Sequence, residues 1–463
     1  MRSTTAHTPR PRGALTAATA ALTAAALAAS IGAGPADAAP SAKWTRLTPP
    51  GHALKDTDEI AIDRDVVGAL DLIWRNGNTI QHGRLDPDLK TVSGPHTVAA
   101  YSGGISGEVD LDTQGEVLYA FFAGQQPGSV LDGVLAMAHS DSKGVGWTDP
   151  EPISNKAHAG KSPVYAATGI AALKGLDMTT HSIWGSPGQA FHTGDSAGDP
   201  DTTLPGGAST DPGIGLDSQS GQVVSAWNLL DEDGVAVMPL GPAGPRTVIP
   251  GSGASQFQTP VSVSGRIGAP GVYVAYTAGT SEFIGKPAIF RVGDSKGKVL
   301  SRQKGALQTA LAPAAEGRMW VFWHRRGLIH ARRSNRAVTA WGGTYTVAPT
   351  RGTDEINGLV GDAAAGPLDL VARLEHDDAN AGWHTRIAPK LTITASRKGG
   401  KMKLRVADVG DPVAAKVTVK GAGTKQTSSK DGLATFRLGP GRHHVTAKTD
   451  YGARGATTIR VRL

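Results

Sequence analysis

Charged side chains recur in short segments that each separate two apolar runs, and such side chains could bind an anion or act on a glycan. The predicted ligand-binding set takes four arginines and two carboxylates from these segments: Arg75, Arg325, Arg326, Arg373, Asp233 and Glu375. Further carboxylates in the same segments include Asp231, Glu232, Asp377 and Asp378. An arginine cluster binds carboxylate or sulfate through paired hydrogen bonds. Two carboxylates at a suitable separation can instead hydrolyse a glycosidic bond. A third interpretation is that these segments are simply solvent-exposed and charged, and the residues leave all three open.

Three more polar side chains lie in or beside the same segments and complete the predicted ligand-binding set: Asn76, Asn228 and His324. We favour non-catalytic binding of an extracellular glycan or protein by this set. A divergent glycan-active hydrolase or lyase is the alternative. No P-loop, dinucleotide fingerprint, H-E-x-x-H motif or strand-to-helix nucleophile motif supports a different chemistry.

A repeated unit predicts the elements that carry these segments. An apolar strand is followed by a turn with glycine and then by a hydrophobic strand that ends in an aromatic residue, as in "VDLDTQGEVLYAF", "IGLDSQSGQVVSAW" and "ALAPAAEGRMWVFW". A third strand follows, and most units end with a fourth. The spacing of the copies, roughly 43 to 62 residues, is the size of a four-stranded propeller blade.

The repeat predicts an all-β fold, a seven-bladed β-propeller over residues 39–388, although six or eight blades would follow from one miscounted unit. The seventh unit lacks a fourth strand of its own. Residues 43–51, "KWTRLTPPG", resemble a fourth strand and would complete it. Such closure would remove the open sheet edges that otherwise favour aggregation.

The aromatic residues at the end of the second strands occupy equivalent positions in the repeat: Trp74, Trp184, Trp227, Tyr276 and Trp323. We expect them to pack between blades rather than to stack on a ligand. In "GRMWVFWHRRG", Met319, Val321 and Trp323 should share one strand face, with Trp320 and Phe322 on the other.

The first 38 residues predict a secretory signal peptide. They contain three early arginines, an Ala/Leu/Thr-rich stretch and an Ala-x-Ala cleavage pattern at 36–38. No later stretch is apolar enough to span a bilayer. The chain has no cysteine, which excludes disulfides and thiolate chemistry. We therefore expect a secreted protein, extracellular or associated with the cell wall, without a transmembrane segment.

Residues 389–463 predict a separate small β-sandwich with a strongly basic surface. They carry 16 Lys/Arg and 4 Asp/Glu, whereas residues 39–388 carry 28 and 35. This excess suggests attraction to an anionic cell-wall polymer, or else a solvated spacer. Nucleic acid is not predicted as a partner, because Phe436 and Tyr451 are the only aromatic side chains available for stacking on bases.

Two resemblances accompany this interpretation. "HSDSKGVGWTDPEPI" is similar to the Asp-box of the sialidase-like superfamily: Ser140, Gly144 and Trp147 match, while Ser142 stands at the Asp position. The likeness implies a propeller fold, but the arginine-bearing signature of sialidases is missing. "DPVAAKVTV", "KDGLATF" and "GPGRHHVTAKTDYG" resemble immunoglobulin-like or transthyretin-like modules of exported bacterial proteins, which implies a fold only.

No cofactor is predicted. "DDANAG" places Asp378, Asn380 and Gly382 at the spacing of a Ca²⁺ loop, but the bidentate glutamate of such a loop is missing, so the Ca²⁺ signal is weak.

Overall fold

The computed structural model describes residues 43–52, 54, 58–101, 105–125, 133–153, 169–186, 189–193, 202–205, 212–229, 234–240, 244–252, 260–279, 285–351, 354–376, 379–398, 401–428 and 430–461. The segment predicted as a signal peptide lies outside these residues. No helix in the described ranges is both long and apolar enough to cross a membrane.

The described chain is all-β, and residues 45–387 form seven four-stranded antiparallel sheets. The first strand, β1 Thr45–Arg46, belongs to the last of them. Sheet 1 consists of β2 Ile60–Arg64, β3 Leu70–Asn76, β4 Thr79–Leu85 and β5 Val92–Ala100. Sheet 2 consists of β6 Ile105–Gln114, β7 Val117–Gln125, β8 Gly133–Ser140 and β9 Glu151–Pro152. Sheet 3 consists of β10 Ile170–Lys174, β11 Thr180–Ser186, β12 Gln189–Thr193 and β13 Thr202–Leu204.

The remaining four sheets of this region have the same antiparallel order. Sheet 4 consists of β14 Gly213–Leu216, β15 Val223–Asn228, β16 Val235–Leu240 and β17 Thr247–Val248. Sheet 5 consists of β18 Ser262–Arg266, β19 Ala269–Ala278, β20 Lys286–Arg291 and β21 Lys298–Val299. Sheet 6 consists of β22 Leu307–Ala314, a 3₁₀ turn Ala315–Gly317, β23 Arg318–Arg325, β24 Leu328–Arg333 and β25 Tyr345–Val347. Sheet 7 consists of β26 Glu355–Asp362, β27 Leu368–His376, β28 Ala379–Ile387 and β1.

The N-terminal strand β1 is the outer strand of sheet 7. Thr45 pairs with His384 and Arg46 with Trp383, and the amide of Leu47 donates to the Gly382 carbonyl at 2.9 Å. The first and last parts of residues 45–387 are therefore hydrogen-bonded to each other.

The first strands of the seven sheets follow one another around a common centre. Each packs against the first strand of the next sheet, from β2 to β6 and onward to β26, and β26 also contacts β2. Apolar side chains fill the spaces between neighbouring sheets. This cyclic order brings residues that are hundreds of positions apart in sequence to one central cavity.

Four glycines of the repeat have the backbone conformation that their turns require. Gly68, Gly115, Gly221 and Gly317 have φ values of 90°, 66°, 73° and 71°. L-residues other than glycine adopt positive φ at a steric cost. The spacing of six residues from glycine to aromatic residue recurs in these four sheets. It reflects a turn between the first two strands in which the glycine has a left-handed backbone conformation.

The prediction that the repeat aromatics pack in the core is confirmed. Their exposed fractions are 3 % or less in every case: Trp74, Trp184, Trp227, Tyr276 and Trp323. The two faces of β23 also separate as predicted. Met319 and Val321 lie with Trp323 in one apolar cluster, whereas Trp320 and Phe322 lie in another.

The turn after β8 is the segment that resembles an Asp-box. The Ser140 hydroxyl accepts a hydrogen bond from the Gly144 amide at 3.0 Å, and the Trp147 indole donates to the Gly144 carbonyl at 3.0 Å. Ser142, at the Asp position, accepts from the Gly146 amide at 2.8 Å. The imidazole of His82, in sheet 1, lies edge-on to Trp147 at 5.5 Å. The motif therefore stabilises its own turn and packs it against the neighbouring sheet.

Residues 392–461 form two further sheets around a separate apolar core. Sheet 8 consists of β29 Thr392–Lys398, β30 Lys401–Asp408, β31 Asp411–Pro412 and β34 Leu433–Phe436. Sheet 9 consists of β32 Lys416–Val419, β33 Gly423–Gln426, β35 Gly441–Lys448 and β36 Arg454–Val461.

Buried ion pairs join this pair of sheets to sheet 6. The Asp408 carboxylate lies 3.4 Å from Nε of Arg318 and 3.2 Å from Nε of Arg333, and it accepts a hydrogen bond from the Tyr451 hydroxyl at 3.0 Å. Asp408 and Arg318 are fully buried. Removing one partner from such a group leaves an uncompensated buried charge, so these contacts hold the C-terminal sheets against sheet 6.

Candidate functional site

A cavity of about 1370 Å³ lies at the centre of the seven sheets. Residues from the first strand of every sheet line it, that is from β2, β6, β10, β14, β18, β22 and β26. Many of the lining residues are alanine, glycine, valine, isoleucine or leucine. The few charged side chains that face the cavity therefore determine its chemistry.

Three carboxyl groups at one end of the cavity form a cluster that we call the acidic mouth: Glu59, Glu108 and Asp110. Glu59 immediately precedes β2, and Glu108 and Asp110 flank Val109 in β6. Alternate residues of a strand lie on the same face. Val109 packs in the apolar core between sheets 1 and 2. Glu108 and Asp110 are among the residues that line the cavity, and the Asp110 carboxylate also contacts sheet 3.

Desolvation dominates the electrostatics of the acidic mouth. It raises the pKa of Glu59, although a hydrogen bond with Glu108 and the positive charge of Arg373 act in the opposite direction. Desolvation likewise raises the pKa of Asp110 to about 7, although its carboxylate accepts hydrogen bonds from two backbone amides. One of these donors is the Ala172 amide of sheet 3, at 2.7 Å. With a pKa of about 7, the Asp110 carboxyl group is protonated in part of the molecules at neutral pH and can then both donate and accept hydrogen bonds.

A second set of carboxylates lies further along the first strands and comprises Asp63 in β2, Asp112 in β6 and Asp362 in β26. Asp112 is two residues, or about 7 Å, from Asp110 along β6. Desolvation, and then the charges of Asp112 and Asp362, raise the pKa of Asp63 well above its usual range. Asp112 accepts from the Lys174 amide at 2.8 Å, and Asp362 forms an ion pair with Arg64. Two of these three carboxylates are thus engaged in contacts between sheets.

Two predicted arginines line the cavity. Arg373 donates to the Asn357 carbonyl at 2.6 Å and is 9 % exposed. Arg75 donates to the Gly77 carbonyl at 2.9 Å, and its guanidinium lies 3.4 Å from the Asp58 carboxylate. Arg373 therefore brings positive charge to the acidic mouth, and Arg75 is held beside Asp58.

The predicted residue His324 also lines the cavity. Desolvation lowers the pKa of its imidazole to about 4, so the side chain is neutral at neutral pH. A neutral imidazole donates one hydrogen bond and accepts one, and His324 therefore adds no positive charge to the cavity.

The arginine pair next to His324 lies elsewhere. Arg325 donates to the Lys304 carbonyl at 2.6 Å and to the Gln303 side chain at 3.0 Å. Arg326 is exposed in the turn between β23 and β24, with φ 51°. Neither is among the residues that line the cavity.

Three other predicted residues do not line the cavity either. Glu375 accepts a hydrogen bond from the Asn357 amide group at 2.8 Å. Asn76 ends β3, and its carbonyl accepts from the Thr79 hydroxyl at 2.8 Å. Asn228 ends β15 and is 4 % exposed.

Two predictions fall on residues outside the described ranges. One is Asp233, in the segment between β15 and β16. The other is Asp378, the first residue of the Ca²⁺-like spacing. The other two residues of this spacing are described. The Asn380 side-chain oxygen accepts a hydrogen bond from the Asn357 amide group at 3.0 Å, and the Gly382 backbone amide donates one to the Thr48 hydroxyl at 3.1 Å.

The acidic mouth was not predicted from the sequence, because the predicted residues come from the segments that join second and third strands. The mouth comes from the beginnings of first strands. Its signal was present in "GEVDLD", where Glu108, Asp110 and Asp112 alternate with two apolar residues. Acidic alternation in a strand that neighbours cover on both sides requires polar partners for the buried carboxylates, and here the amides of Ala172 and Lys174 in sheet 3 supply two of them.

No protein-family model matches the sequence, and no curated protein matches it either. Solved structures that are similar in part include the following three. An inactive virginiamycin B lyase from Staphylococcus aureus, with quinupristin, is 12% identical, with a TM-score of 0.46 over 74% of this chain and 99% of the other. NanB sialidase from Streptococcus pneumoniae is 10% identical, with a TM-score of 0.42 over 61% and 67%. Aleuria aurantia lectin, with Fucalpha1-6GlcNAc, is 12% identical, with a TM-score of 0.41 over 65% and 98%. Likeness at this level identifies neither a family nor an activity.

Proposed function

We propose that the protein is an exported recognition protein whose seven sheets are the blades of a β-propeller closed by β1. Its ligand would be an extracellular glycan or protein, bound at the acidic mouth. The cyclic packing of the first strands supports the propeller, and so does the pairing of β1 with β28. Sheets arranged in a ring leave only short, protected edges, which suits a protein without disulfides outside the cell.

The observation that carries this proposal is the hydrogen-bonded pair of Glu59 and Glu108, with the positive charge of Arg373 beside it. Such a pair offers several oxygen acceptors and one retained proton within a small volume. Hydroxyl and amide groups of a ligand could replace the hydrogen bond between the two glutamates. Glycans and polypeptide backbones both supply such groups.

The same pair argues against hydrolysis of a glycosidic bond by these two glutamates. Glycosidases that use two carboxyl groups hold them about 5–10 Å apart, so that the sugar or a water molecule fits between them. Glu59 and Glu108 are close enough to share a hydrogen bond. This geometry favours binding.

The alternative, a glycan-active hydrolase or lyase, has one observation in its favour. The pKa of Asp110 is about 7, and a general acid works best when its pKa is near the working pH. In its protonated form, Asp110 could protonate a leaving group. Activity lost on replacing Asp110, with ligand binding retained, would establish this alternative.

We further propose that residues 389–463 form a module that attaches the protein to an anionic cell-wall polymer. The excess of 16 Lys/Arg over 4 Asp/Glu supports this role. The buried contacts of Asp408 with sheet 6 indicate a rigid attachment rather than a flexible linker.

A glycan array tests the proposal, with residues 39–463 of the wild type compared with Glu108→Gln. We expect the variant to lose about tenfold or more in affinity for the wild type's ligands, because a hydrogen bond to a charged group is removed. Glu116→Gln is the matched control, since Glu116 is exposed in the turn after β6.

Hydrolysis assays on the bound glycans separate the two candidates. Binding without product supports recognition, whereas product from the wild type that Asp110→Asn abolishes supports the enzyme. Equal binding by wild type and Glu108→Gln would overturn the acidic mouth as the site.

A further inference from the structure

One face of sheet 9 is in the apolar core and the other is in solvent. Val417, Val445 and Ala447 are at most 3 % exposed and pack in the core of the C-terminal sheets. Residues that alternate with them point outward. The charged members of this outer face, all exposed, are Lys416, Lys420, Arg442, Lys448, Arg454 and Arg460.

Strand pairing places several of these cations directly opposite one another. Lys448 is paired with Lys416 on one side and with Arg454 on the other. Arg442 is paired with Arg460. Like charges at directly opposed positions destabilise a sheet. Three such pairs on one face are therefore unfavourable for folding unless an anion lies against them.

The outer face has no acidic residue to relieve this repulsion. Strands β32, β33, β35 and β36 contain no Asp or Glu. Among the described residues, no ion pair involves any of the six cations. Asp450, in the exposed turn between β35 and β36, is the one acidic residue next to the face in sequence.

Hydroxyl groups lie between the two ends of the face. Thr418 and Thr424 are hydrogen-bonded to each other at 2.9 Å, and Thr446 is paired with Thr418. Arg454 and Arg460 are six residues apart in β36, or about 20 Å along the strand. The face thus presents cations at both ends and threonine hydroxyls between them over a length of several sugar units.

We propose that the outer face of sheet 9 binds an extended polysaccharide that carries carboxylate groups. The lysines and arginines pair with the carboxylates, and the threonines hydrogen-bond to sugar hydroxyls. This inference rests on the attachment role proposed for residues 389–463 and assigns it to one surface and one polymer chemistry.

The two aromatic side chains of the region disfavour nucleic acid. The Tyr451 ring lies 5.5 Å from the Arg333 guanidinium of sheet 6, and Phe436 is 2 % exposed. Neither can stack on bases as single-stranded nucleic acid requires.

The test measures binding of residues 39–463 to polygalacturonate, a linear carboxylated polysaccharide, with neutral dextran as the reference polymer. Lys448→Gln/Arg454→Gln should weaken binding about tenfold, because two clustered cations are lost. The matched control, Lys401→Gln/Arg405→Gln, removes one lysine and one arginine from the exposed side of β30 in sheet 8. We expect it to weaken binding by less than about threefold.

Each other result overturns a distinct step. An equal loss in both double variants would show that total charge, not the face of sheet 9, determines binding. Absence of binding by the wild type would overturn the assignment to a carboxylated polysaccharide, while leaving the acidic mouth untouched. Tighter binding to a DNA duplex than to polygalacturonate, compared at equal concentrations of negative charge, would overturn the assignment to a polysaccharide.

Discussion

Asp110 and Asp369 both lie in strands of the seven-sheet region, yet their carboxyl groups have opposite protonation behaviour. Desolvation in the cavity raises the pKa of Asp110 to about 7. The pKa of Asp369 is lowered to about 2, because hydrogen bonds from His384 and Arg386 and the charge of Arg64 outweigh its desolvation. Both carboxyl groups are desolvated by burial. Their pKa values differ because Asp369 has cationic partners and Asp110 does not.

The partners of Asp369 come from two sheets. His384 Nε2 lies 2.9 Å from its carboxylate, and Arg386 donates twice at 2.6 Å. Arg64, from sheet 1, pairs with both Asp362 and Asp369. We call these five residues the Asp369 network. It contributes to cohesion between sheets 7 and 1, where the two ends of the cyclic order meet.

Asp110 has two amide donors but no cation among its leading interactions; the nearby charges of Glu59 and Asp112 are negative. A carboxyl group kept this way reduces stability at neutral pH. In the Asp369 network, cations compensate the buried carboxylate, and its contribution to folding explains its presence. The acidic mouth lacks such compensation at Asp110, so folding alone does not explain it. This difference supports the acidic mouth as a site for a ligand.

The largest expected effect is that of Asp369→Asn. The variant leaves Arg64 and Arg386 without their shared carboxylate, and breaking a buried charge network typically costs about 3–5 kcal/mol. Urea denaturation at pH 7 measures the free energy of unfolding. Asp88→Asn, in an exposed turn, is the control, and a loss no greater than that of the control would contradict the assigned role.

A smaller effect of opposite sign is expected for Asp110→Asn. A folded-state pKa above the unfolded value means that the folded chain holds the extra proton. Stability then falls by up to about 1.4 kcal/mol per pH unit between pH 4 and 7. The asparagine removes this loss but also one hydrogen bond, so we expect a gain of about 3 kcal/mol at pH 8 and a loss of about 1 kcal/mol at pH 4.

Urea denaturation from pH 4 to pH 8 measures the effect of Asp110→Asn. If the variant and the wild type had the same slope of stability against pH, Asp110 would be ionised in the folded protein. The contrast with Asp369 would then be lost.

The smallest effect is expected for Arg386→Gln, because the Arg386 side chain is 30% exposed and solvent screens its charge. We expect a loss of about 1 kcal/mol at pH 7. The depressed pKa of Asp369 contributes stability above pH 4 that is lost as the pH falls toward 2. The variant should therefore unfold at a higher pH in an acid titration followed by circular dichroism.

Arg302→Gln, at an exposed position before β22, is the control for Arg386→Gln. Equal acid midpoints in the two variants would show that Arg64 and His384 suffice to hold the Asp369 charge.

Local sequence predicted the strands well because their signals are local. Gly68 and Gly317 mark turns with positive φ, and the aromatic residue six positions later marks the buried strand. Side-chain alternation in "RMWVFW" correctly separated the two faces of β23. These features depend on contacts within a hairpin, which a short window of sequence contains.

The candidate site was harder to predict, because its residues converge from distant positions. Glu59 and Glu108 are in successive repeats, and Arg373 comes from the last. Arg325 and Arg326 are in a segment with the composition of a binding loop, yet neither lines the cavity. Composition indicates that a segment is polar. Whether its side chains face the cavity or the solvent depends on how the sheets pack.

The sequence by itself determined the repeat, the turns, the buried aromatics and the separation of acidic and basic regions. It could not determine the state of individual carboxyl groups. Asp110 lies in "VDL" and Asp369 in "LDL", so their local sequences are nearly the same. Arg64, which is 305 residues from Asp369, reaches it only because sheets 1 and 7 are neighbours. The tertiary structure decided which aspartate received a cation, since electrostatic interaction depends on distance in space and not along the chain.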